Sequence, residues 1–207
     1  MDEIRFILFK KKDASRVDRD LLGFTLFALI LAFLWLNDEF LGWAFLDWIM
    51  KAVVIVWVLG YIYLLFYSMN EKEKLDGSFV GYIFFAPDTI TAGEKVFHIE
   101  TIVKIEIQSD DYDGRKWTNH RSIEPKVSNG VGNLVRLKMK DGGVYQFNFQ
   151  LNYENEFKKK MREILISYHL KDKISFLALI QYIDISDSYE RIQEFKMELG
   201  LLKESKG

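Results

Sequence analysis

The first candidate for chemistry is a run of acidic residues from Asp110 to Asp113, followed by Gly114. Closely spaced aspartates before a glycine are typical of calcium loops, in which carboxylate oxygens coordinate the ion. With Gly114 as its glycine, an EF-hand loop would need a carboxylate or amide at position 109 and a glutamate at position 120. Those positions hold Ser109 and His120. We therefore predict a solvated acidic loop and no metal site.

A second candidate is the pair Gly130 and Gly132, which has the spacing that opens a dinucleotide-binding fingerprint. That fingerprint needs a third glycine and a following helix whose N-terminus holds the phosphate. The third glycine is missing, and the residues from Asn133 onward alternate like a strand. The pair predicts a flexible turn and no cofactor site.

The sequence contains no recognisable set of residues for nucleophilic or general acid–base catalysis. The chain contains no cysteine, which excludes disulfides, thiolate metal sites and a cysteine nucleophile. His98, His120 and His169 are far apart along the chain, and no nucleophile, base and orienting group can be assembled around them from spacing. His169 lies at the end of a predicted helix, where it suits the negative end of the helix dipole. We therefore predict that the protein is not an enzyme, with no catalytic, cofactor-binding or metal-binding residues and no small-molecule substrate.

One charged pair lies in an otherwise apolar stretch. Asp47 and Lys51 are four residues apart, which places them on the same face of a helix. We favour a structural pair at the membrane interface, with the Lys51 ammonium extended outward, because the pair lies near the start of its segment. The alternative is a polar contact inside an oligomer or a part of an ion path.

The elements that carry these residues belong to two unlike parts of the 207-residue chain. Residues 21–69 contain four charged side chains, whereas residues 70–207 contain 21 basic and 22 acidic ones. The formal net charge is −2, so nothing in the overall charge indicates a nucleic-acid partner. The distribution predicts a membrane segment fused to a polar domain.

Two apolar segments, residues 21–36 and 52–69, predict a transmembrane helical hairpin. As helices they measure roughly 24 Å and 27 Å, close to the ~30 Å hydrocarbon core. A signal peptide is disfavoured because no small-x-small cleavage site follows the first segment. A buried soluble hairpin is disfavoured because a domain of this size cannot enclose two helices that are apolar on every face.

Basic residues near the helix ends predict the orientation. The connection between the apolar segments carries Asp38 and Glu39 but no lysine or arginine. Since basic flanks stay inside, we expect both termini in the cytoplasm and a multi-pass location in the inner membrane. The same basic residues can also attract anionic lipid, at about 1 kcal/mol each. Arg5 also precedes the first segment, and the basic residues closest to it are Lys10, Lys11, Lys12, Arg16 and Arg19.

Strands are predicted from residue 79 onward, where apolar and polar positions alternate. The clearest hairpin joins residues 133–140 to residues 144–151 through an Asp-Gly-Gly turn. A helix follows with Asn152 as its N-cap, and two further helical stretches are expected over residues 172–182 and 187–199. The apolar stripe of the first helix is Phe157, Met161, Ile164, Leu165 and Tyr168.

Residues 4–9 (IRFILF) also have the composition of a strand. Two positions remain open for this segment. It can add an edge strand to the cytoplasmic sheet, or it can lie along the membrane surface.

The strands over residues 79–151, the run ITAGEKVFHIETIVKIEI at 90–107 and the helix after the final hairpin, all behind a membrane hairpin, resemble the bacterial pleckstrin-homology-like family of membrane-anchored proteins. The resemblance covers residues 79–168. It implies a curved antiparallel sheet plugged at one end by the helix, and a binding or scaffolding role. The family has no catalytic motif to transfer, so no functional residue is carried over.

The predicted fold class is an α+β membrane protein in four parts. These are a basic cytoplasmic segment (1–20), a transmembrane helical hairpin (21–69), a cytoplasmic pleckstrin-homology-like barrel or sandwich capped by a helix (70–170) and a helical tail (171–207). The predicted function is a membrane-anchored scaffold or adaptor that binds a protein partner at the inner membrane, without cofactors. The alternative is an oligomeric transmembrane pore or membrane-disrupting effector gated by the soluble domain.

Overall fold

The computed structural model describes residues 3–12, 19–37, 39, 42, 44–117, 124–185 and 188–204, without the side chains of residues 19, 20, 44, 46, 47 and 202–204. The described chain forms two compact units. The first falls within residues 1–12, 75–115 and 129–207, and the second within residues 13–74 and 116–128. Residues before and after the apolar stretch belong to one unit, and the four predicted segments stay a prediction.

The first unit is built on an antiparallel sheet. In the described residues the sheet has seven strands in the order β4-β3-β2-β1-β9-β8-β5, and β6 and β7 pair separately. The predicted α+β class with an antiparallel sheet is confirmed. The strands are β1 (Ile4–Lys11), β2 (Gly77–Phe85), β3 (Thr89–Ala92), β4 (Lys95–His98), β5 (Ile102–Gln108), β6 (Asp113–Lys116), β7 (Val127–Asn129), β8 (Asn133–Met139) and β9 (Val144–Gln150).

Strand β1 lies in the middle of the sheet. It pairs with β2 on one side, where Ile7 is opposite Tyr82, and with β9 on the other, where Ile7 is opposite Gln150. The side chains of Phe6 and Leu8 are only 3% and 7% exposed. Of the two positions considered for residues 4–9, the strand is therefore correct, but its place at an edge was wrong, because the backbone of β1 pairs with a strand on each side.

The helices α3 (Glu156–Leu170), α4 (Phe176–Tyr182) and α5 (Tyr189–Glu204) complete this unit. All five residues of the predicted apolar stripe of α3 are buried, and Phe157 contacts the rings of Phe6 and Phe149. The tail joins the same core through Leu179 on α4 and Phe195 on α5.

The predicted N-cap at Asn152 was wrong. Helix α3 begins at Glu156, and its N-cap position is Asn155, which has a left-handed φ of 64° and makes no side-chain cap. The buried Glu156 carboxylate instead accepts a hydrogen bond from the Asn152 backbone N–H at 2.6 Å. An acidic side chain in the first turn thus ties the preceding loop to the helix start and suits the positive end of its dipole.

The second unit contains the apolar helices α1 (Arg19–Leu36) and α2 (Ala44–Ser68). Among the described residues one helical stretch, Trp48–Ser68, is long and apolar enough to cross a membrane, with a mean hydropathy of 2.2. Leu21–Leu36 is a shorter apolar helix. Helix α2 begins eight residues before the predicted start at residue 52 and measures roughly 37 Å. The second crossing of the hairpin stays a prediction.

Candidate functional site

The most informative site is the junction at which strands β1 and β2 continue into the apolar helices. Lys11 is opposite Gly77 in the β1–β2 ladder, and the Lys12 N–H donates to the Asp76 carbonyl at 2.8 Å. The chain therefore leaves the sheet at Lys12 and returns to it at the directly adjacent Asp76. In the topology of the sheet, residues 13–75 are an insertion into a β-hairpin.

Close packing makes this junction well defined. A Cβ at Gly77 would collide with the Lys10 carbonyl oxygen and with the Phe9 ring, so glycine is needed there for the approach of the two strands. Phe9 is 4% exposed, and its ring meets that of Phe79 edge-on at 5.4 Å. These contacts fix the relative position of the two strands that lead to the helices.

The predicted membrane-proximal basic residues divide into two groups. Lys10, Lys11 and Lys12 are exposed at the junction end of β1. Arg16 lies outside the described residues, and Arg19 is the first residue of α1 with its side chain outside the described part. The structure therefore brings the lysines to the junction and leaves the arginines untested.

The apolar side chains of α1 and α2 are exposed to a degree unusual for a water-soluble protein. Leu29 is 62% exposed, Ile55 61% and Phe66 68%. Contiguous apolar surface of this kind marks a site that is covered by lipid or by another protein.

The predicted polar pair Asp47 and Lys51 lies in the first turns of α2. Lys51 is exposed, whereas the side chain of Asp47 is outside the described part of the structure. The pair and its two interpretations therefore remain predictions.

A groove of about 460 Å³ runs along the second unit between α1 and α2. Trp57 forms part of its wall and stacks on Phe27, with ring centroids 4.4 Å apart. A Cβ built on Gly60 would meet no atom within 4 Å, whereas one on Gly23 would lie 4.0 Å from the Tyr61 ring. The groove thus has an open wall at Gly60 and a nearly pure apolar lining.

The acidic loop and the glycine turn are locked together in the first unit. Asp111 is 6% exposed and accepts a hydrogen bond from the Gly132 N–H at 2.8 Å. Its own N–H donates to Asn133, which is fully buried and donates to the Gly130 carbonyl at 2.8 Å. Gly130 has a φ of +70° and no room for a Cβ. The prediction of a solvated loop was wrong for Asp111, whose buried carboxylate bonds to a backbone N–H instead of to water. Asp110 and Gly114 are exposed, as predicted. The predicted turn at Gly130 and Gly132 is closely packed against Leu151 and Asp111.

The groups with shifted pKa values each have a local structural cause. Ion pairs with Lys138 and Lys104 lower the pKa of Glu106 to about 2. Lys171 lowers the pKa of Asp88, and Lys158 lowers that of Asp184.

Burial accounts for the remaining shifted group, Tyr168. Burial raises the pKa of Tyr168, whose hydroxyl donates to the Ala86 carbonyl at 2.8 Å. His169 lies in the last turn of α3, as predicted, with its Nδ1 atom 2.8 Å from the Ile174 carbonyl. Among the described residues, no group of three or more histidine and carboxylate side chains is placed to hold a metal ion.

Comparison with protein-family models, with curated proteins and with solved structures finds no match to this chain. The site must therefore be interpreted from its own geometry.

Sequence reasoning predicted the lysines but missed Phe9, Gly77 and Asp76 as the residues that hold the junction together. One signal was available. The segments 4–9 and 79–86 are both rich in aromatic and β-branched residues, and they flank the apolar stretch on either side. Two such segments can pair with each other across any insertion that returns to its starting point.

Proposed function

We propose that this protein is a membrane-anchored scaffold or adaptor without enzymatic activity, in which inserted helices hold a sheet domain at the inner membrane. The carrying observation is the hydrogen bond between Lys12 and Asp76 at the two ends of an insertion that contains the exposed apolar helix α2. Both ends of the insertion start from one sheet, so they lie on the same side of any membrane that α2 crosses. The number of crossings is then even.

Helix α1 supplies the second crossing in this proposal. Its apolar part, Leu21–Leu36, corresponds to roughly 24 Å. This is less than the ~30 Å hydrocarbon core, and local thinning of the bilayer accommodates the difference. The exposed lysines at residues 10–12 favour the cytoplasmic side for the sheet domain and for both termini.

The sheet domain is proposed as a pleckstrin-homology-like binding module. The continuous antiparallel sheet and the buried stripe of α3 support this proposal. The shifted pKa values arise from ion pairs and burial, which favours a binding role over a catalytic one.

The outer face of β1 and β2 is the surface we propose for a protein partner. The Arg5 guanidinium lies 5.3 Å from the centre of the Tyr82 ring, and Tyr82 is 43% exposed beside Phe84. Arginine and tyrosine are enriched at the energetic centres of protein interfaces. The edge strand β5 is less suited, because its Ile105 and Ile107 N–H groups already donate to Lys173 and Tyr182.

Anchoring is tested by removing the insertion. A variant in which Asn-Gly replaces residues 13–75 joins Lys12 to Asp76 by a two-residue hairpin loop. The full chain should stay in the membrane pellet after alkaline carbonate extraction, and the variant should be soluble. Extraction of the full chain at alkaline pH would contradict the proposal.

Partner binding is tested by crosslinking in membranes. A photoreactive amino acid at position 82 should capture a discrete protein, and the same group at the exposed Val144 on β9 should not. Repeated purification in mild detergent that yields neither a protein partner nor self-association would refute the adaptor role.

The groove beside Gly60 favours a second candidate, in which the hairpins associate into an oligomeric pore gated by the sheet domain. A small residue on an open helix face lets another helix approach closely. Since a Cβ at Gly60 meets no atom within 4 Å, Gly60→Leu should leave the monomer intact and block association. Liposome conductance that is zero for the wild type, or is unchanged by Gly60→Leu and Lys51→Ala, would count against the pore.

A further inference from the structure

Strands β1 and β2 extend beyond the rest of the sheet at the junction end. In the described residues, β1 pairs with β9 only from Ile7 to Phe9, and β2 pairs with β3 only from Ile83 to Phe85. The β1–β2 ladder continues to Lys11 and Gly77. Residues 10–12 and 76–81 therefore form a two-stranded projection, which we call the ribbon.

The ribbon carries apolar side chains on both of its faces. Phe79 is 44% exposed and Val80 46% exposed, and consecutive residues of a strand point to opposite faces. Lys10 and Lys11 are exposed on the opposing strand and also alternate. A ribbon that packed against one protein surface would need a single apolar face. Apolar and cationic groups on both faces instead suit the interfacial layer of a membrane, which would surround the ribbon.

We propose that the ribbon binds the membrane interface, with Lys10, Lys11 and Lys12 at anionic lipid headgroups and with Phe79 and Val80 among the upper acyl chains. This inference rests on the proposed anchoring. It assigns a lipid-binding role to residues outside the apolar helices, so the sheet domain is held close to the bilayer by its own surface.

Backbone hydrogen bonding sets the depth of the ribbon. Beyond Phe9 on β1 and before Tyr82 on β2, the outer edges of the two strands pair with no other strand in the described chain. The Tyr82 carbonyl still accepts a hydrogen bond from the Gly93 N–H. Unpaired backbone groups are not tolerated in the hydrocarbon region. The headgroup layer supplies water and phosphate oxygens as partners and also contains the anionic charge that lysines attract.

The experiment uses the full chain with single labels, which is possible because the sequence contains no cysteine. An environment-sensitive fluorophore is attached to Val80→Cys or, as the matched control, to Val103→Cys. Val103 is similarly exposed, at 53%, but lies on β5 at an edge of the sheet. Both proteins are reconstituted in vesicles of phosphatidylcholine, with or without phosphatidylglycerol and with brominated lipid as quencher.

We expect brominated lipid to quench the label at position 80 at least threefold more than at position 103. Phosphatidylglycerol should increase this quenching, and the Lys10→Gln, Lys11→Gln, Lys12→Gln combination should remove the increase. Flotation of the vesicles separates the two proposals. Protein that floats but shows equal quenching at both positions overturns the ribbon inference alone, and protein that does not float overturns the anchoring as well. Quenching that is independent of phosphatidylglycerol overturns the headgroup contact.

Discussion

The two units of this protein use the same residue types in opposite ways. In the sheet unit Ile83, Phe85 and Leu137 are fully buried, whereas in α2 Ile55 is 61% exposed and Leu59 61% exposed. The free energy of transfer from water is the same for an isoleucine in either place, about 25 cal/mol per Å² of apolar surface. The sheet unit removes this surface from water by its own folding, and the helical unit leaves it to be covered from outside.

This contrast explains why the two units can share one chain. The sheet unit has a continuous core in which α3, α4 and α5 all take part. Burial of its apolar side chains therefore does not depend on α1 and α2. The junction at Lys12 and Asp76 allows an apolar insertion without a break in strand pairing. The sheet unit thus accommodates the apolar insertion and keeps its own core.

The largest expected effect is loss of the sheet core. Phe149 is fully buried and contacts the rings of Phe6, Phe85 and Phe157. Phe149→Ala should lower the free energy of unfolding by about 3–5 kcal/mol, because the lost transfer energy adds to the cost of a cavity. Denaturant unfolding in detergent, followed by circular dichroism, measures this loss. The matched control Phe66→Ala, on a side chain 68% exposed, should change the midpoint little, and equal losses would break the comparison.

An arginine on α2 tests whether the exposed apolar surface of this helix is covered by lipid. Leu59 lies near the middle of Trp48–Ser68, and Leu59→Arg should disfavour insertion by about 2.5–3.5 kcal/mol. The membrane-resistant fraction after carbonate extraction should fall accordingly. Val103→Arg places the same charge on an exposed valine of the sheet unit and should leave that fraction unchanged. A full effect at both positions would show that the arginine acts through general misfolding.

A smaller effect tests whether the tail belongs to the sheet unit. The Tyr182 hydroxyl accepts a hydrogen bond from the Ile107 N–H on the outer edge of β5 at 2.9 Å. Tyr182→Phe leaves that N–H without its partner and should cost about 1–2 kcal/mol of unfolding free energy. Tyr153→Phe, at a side chain 47% exposed, is the control and should cost far less. No difference between the two variants would mean that the tail does not protect this edge.

Local patterns predicted most of the elements in the sheet unit. The hairpin from residue 133 to residue 151 and the stripe of α3 follow from periods of two and 3.6 residues, which are visible within short windows. The central place of β1 depends on pairing with β2 across more than 60 residues, and no local pattern contains that information. The correct prediction of a strand was therefore compatible with an incorrect position in the sheet.

The candidate site was predicted in the same partial way. Charge alone identified Lys10, Lys11 and Lys12, but the ribbon that presents them exists only after β1 and β2 pair. Likewise, Asp111 has the composition of a solvated loop, yet its hydrogen bond with Gly132 buries it. Reasoning from short sequence windows predicts that such polar residues are exposed to solvent, because their hydrogen-bond partners are distant in sequence.

The smallest effect concerns a charge cluster on the solvent side of the sheet. Glu106 pairs with Lys104, Arg136 and Lys138, and its pKa in the folded protein is about 2, against an ordinary value of 4.5. Since the folded-state pKa is lowered, the unfolded chain binds the proton first as the pH falls. The pairs therefore contribute stability above about pH 4.5 and lose it between about pH 4.5 and pH 2.

These pairs are open to solvent, so we expect a contribution of at most about 1 kcal/mol. Glu106→Gln should be less stable than the wild type at pH 7, and the difference in unfolding free energy should vanish as the pH approaches 2. Glu94→Gln, which removes an exposed turn glutamate outside the cluster, is the control and should change the unfolding free energy at pH 7 less than Glu106→Gln. High salt should shrink the difference at pH 7, because mobile ions screen exposed charges. A difference that persists at pH 2 would mean that Glu106 stabilises the sheet through packing, as the buried core residues do. The solvent side of the sheet would then not be stabilised by charge pairs.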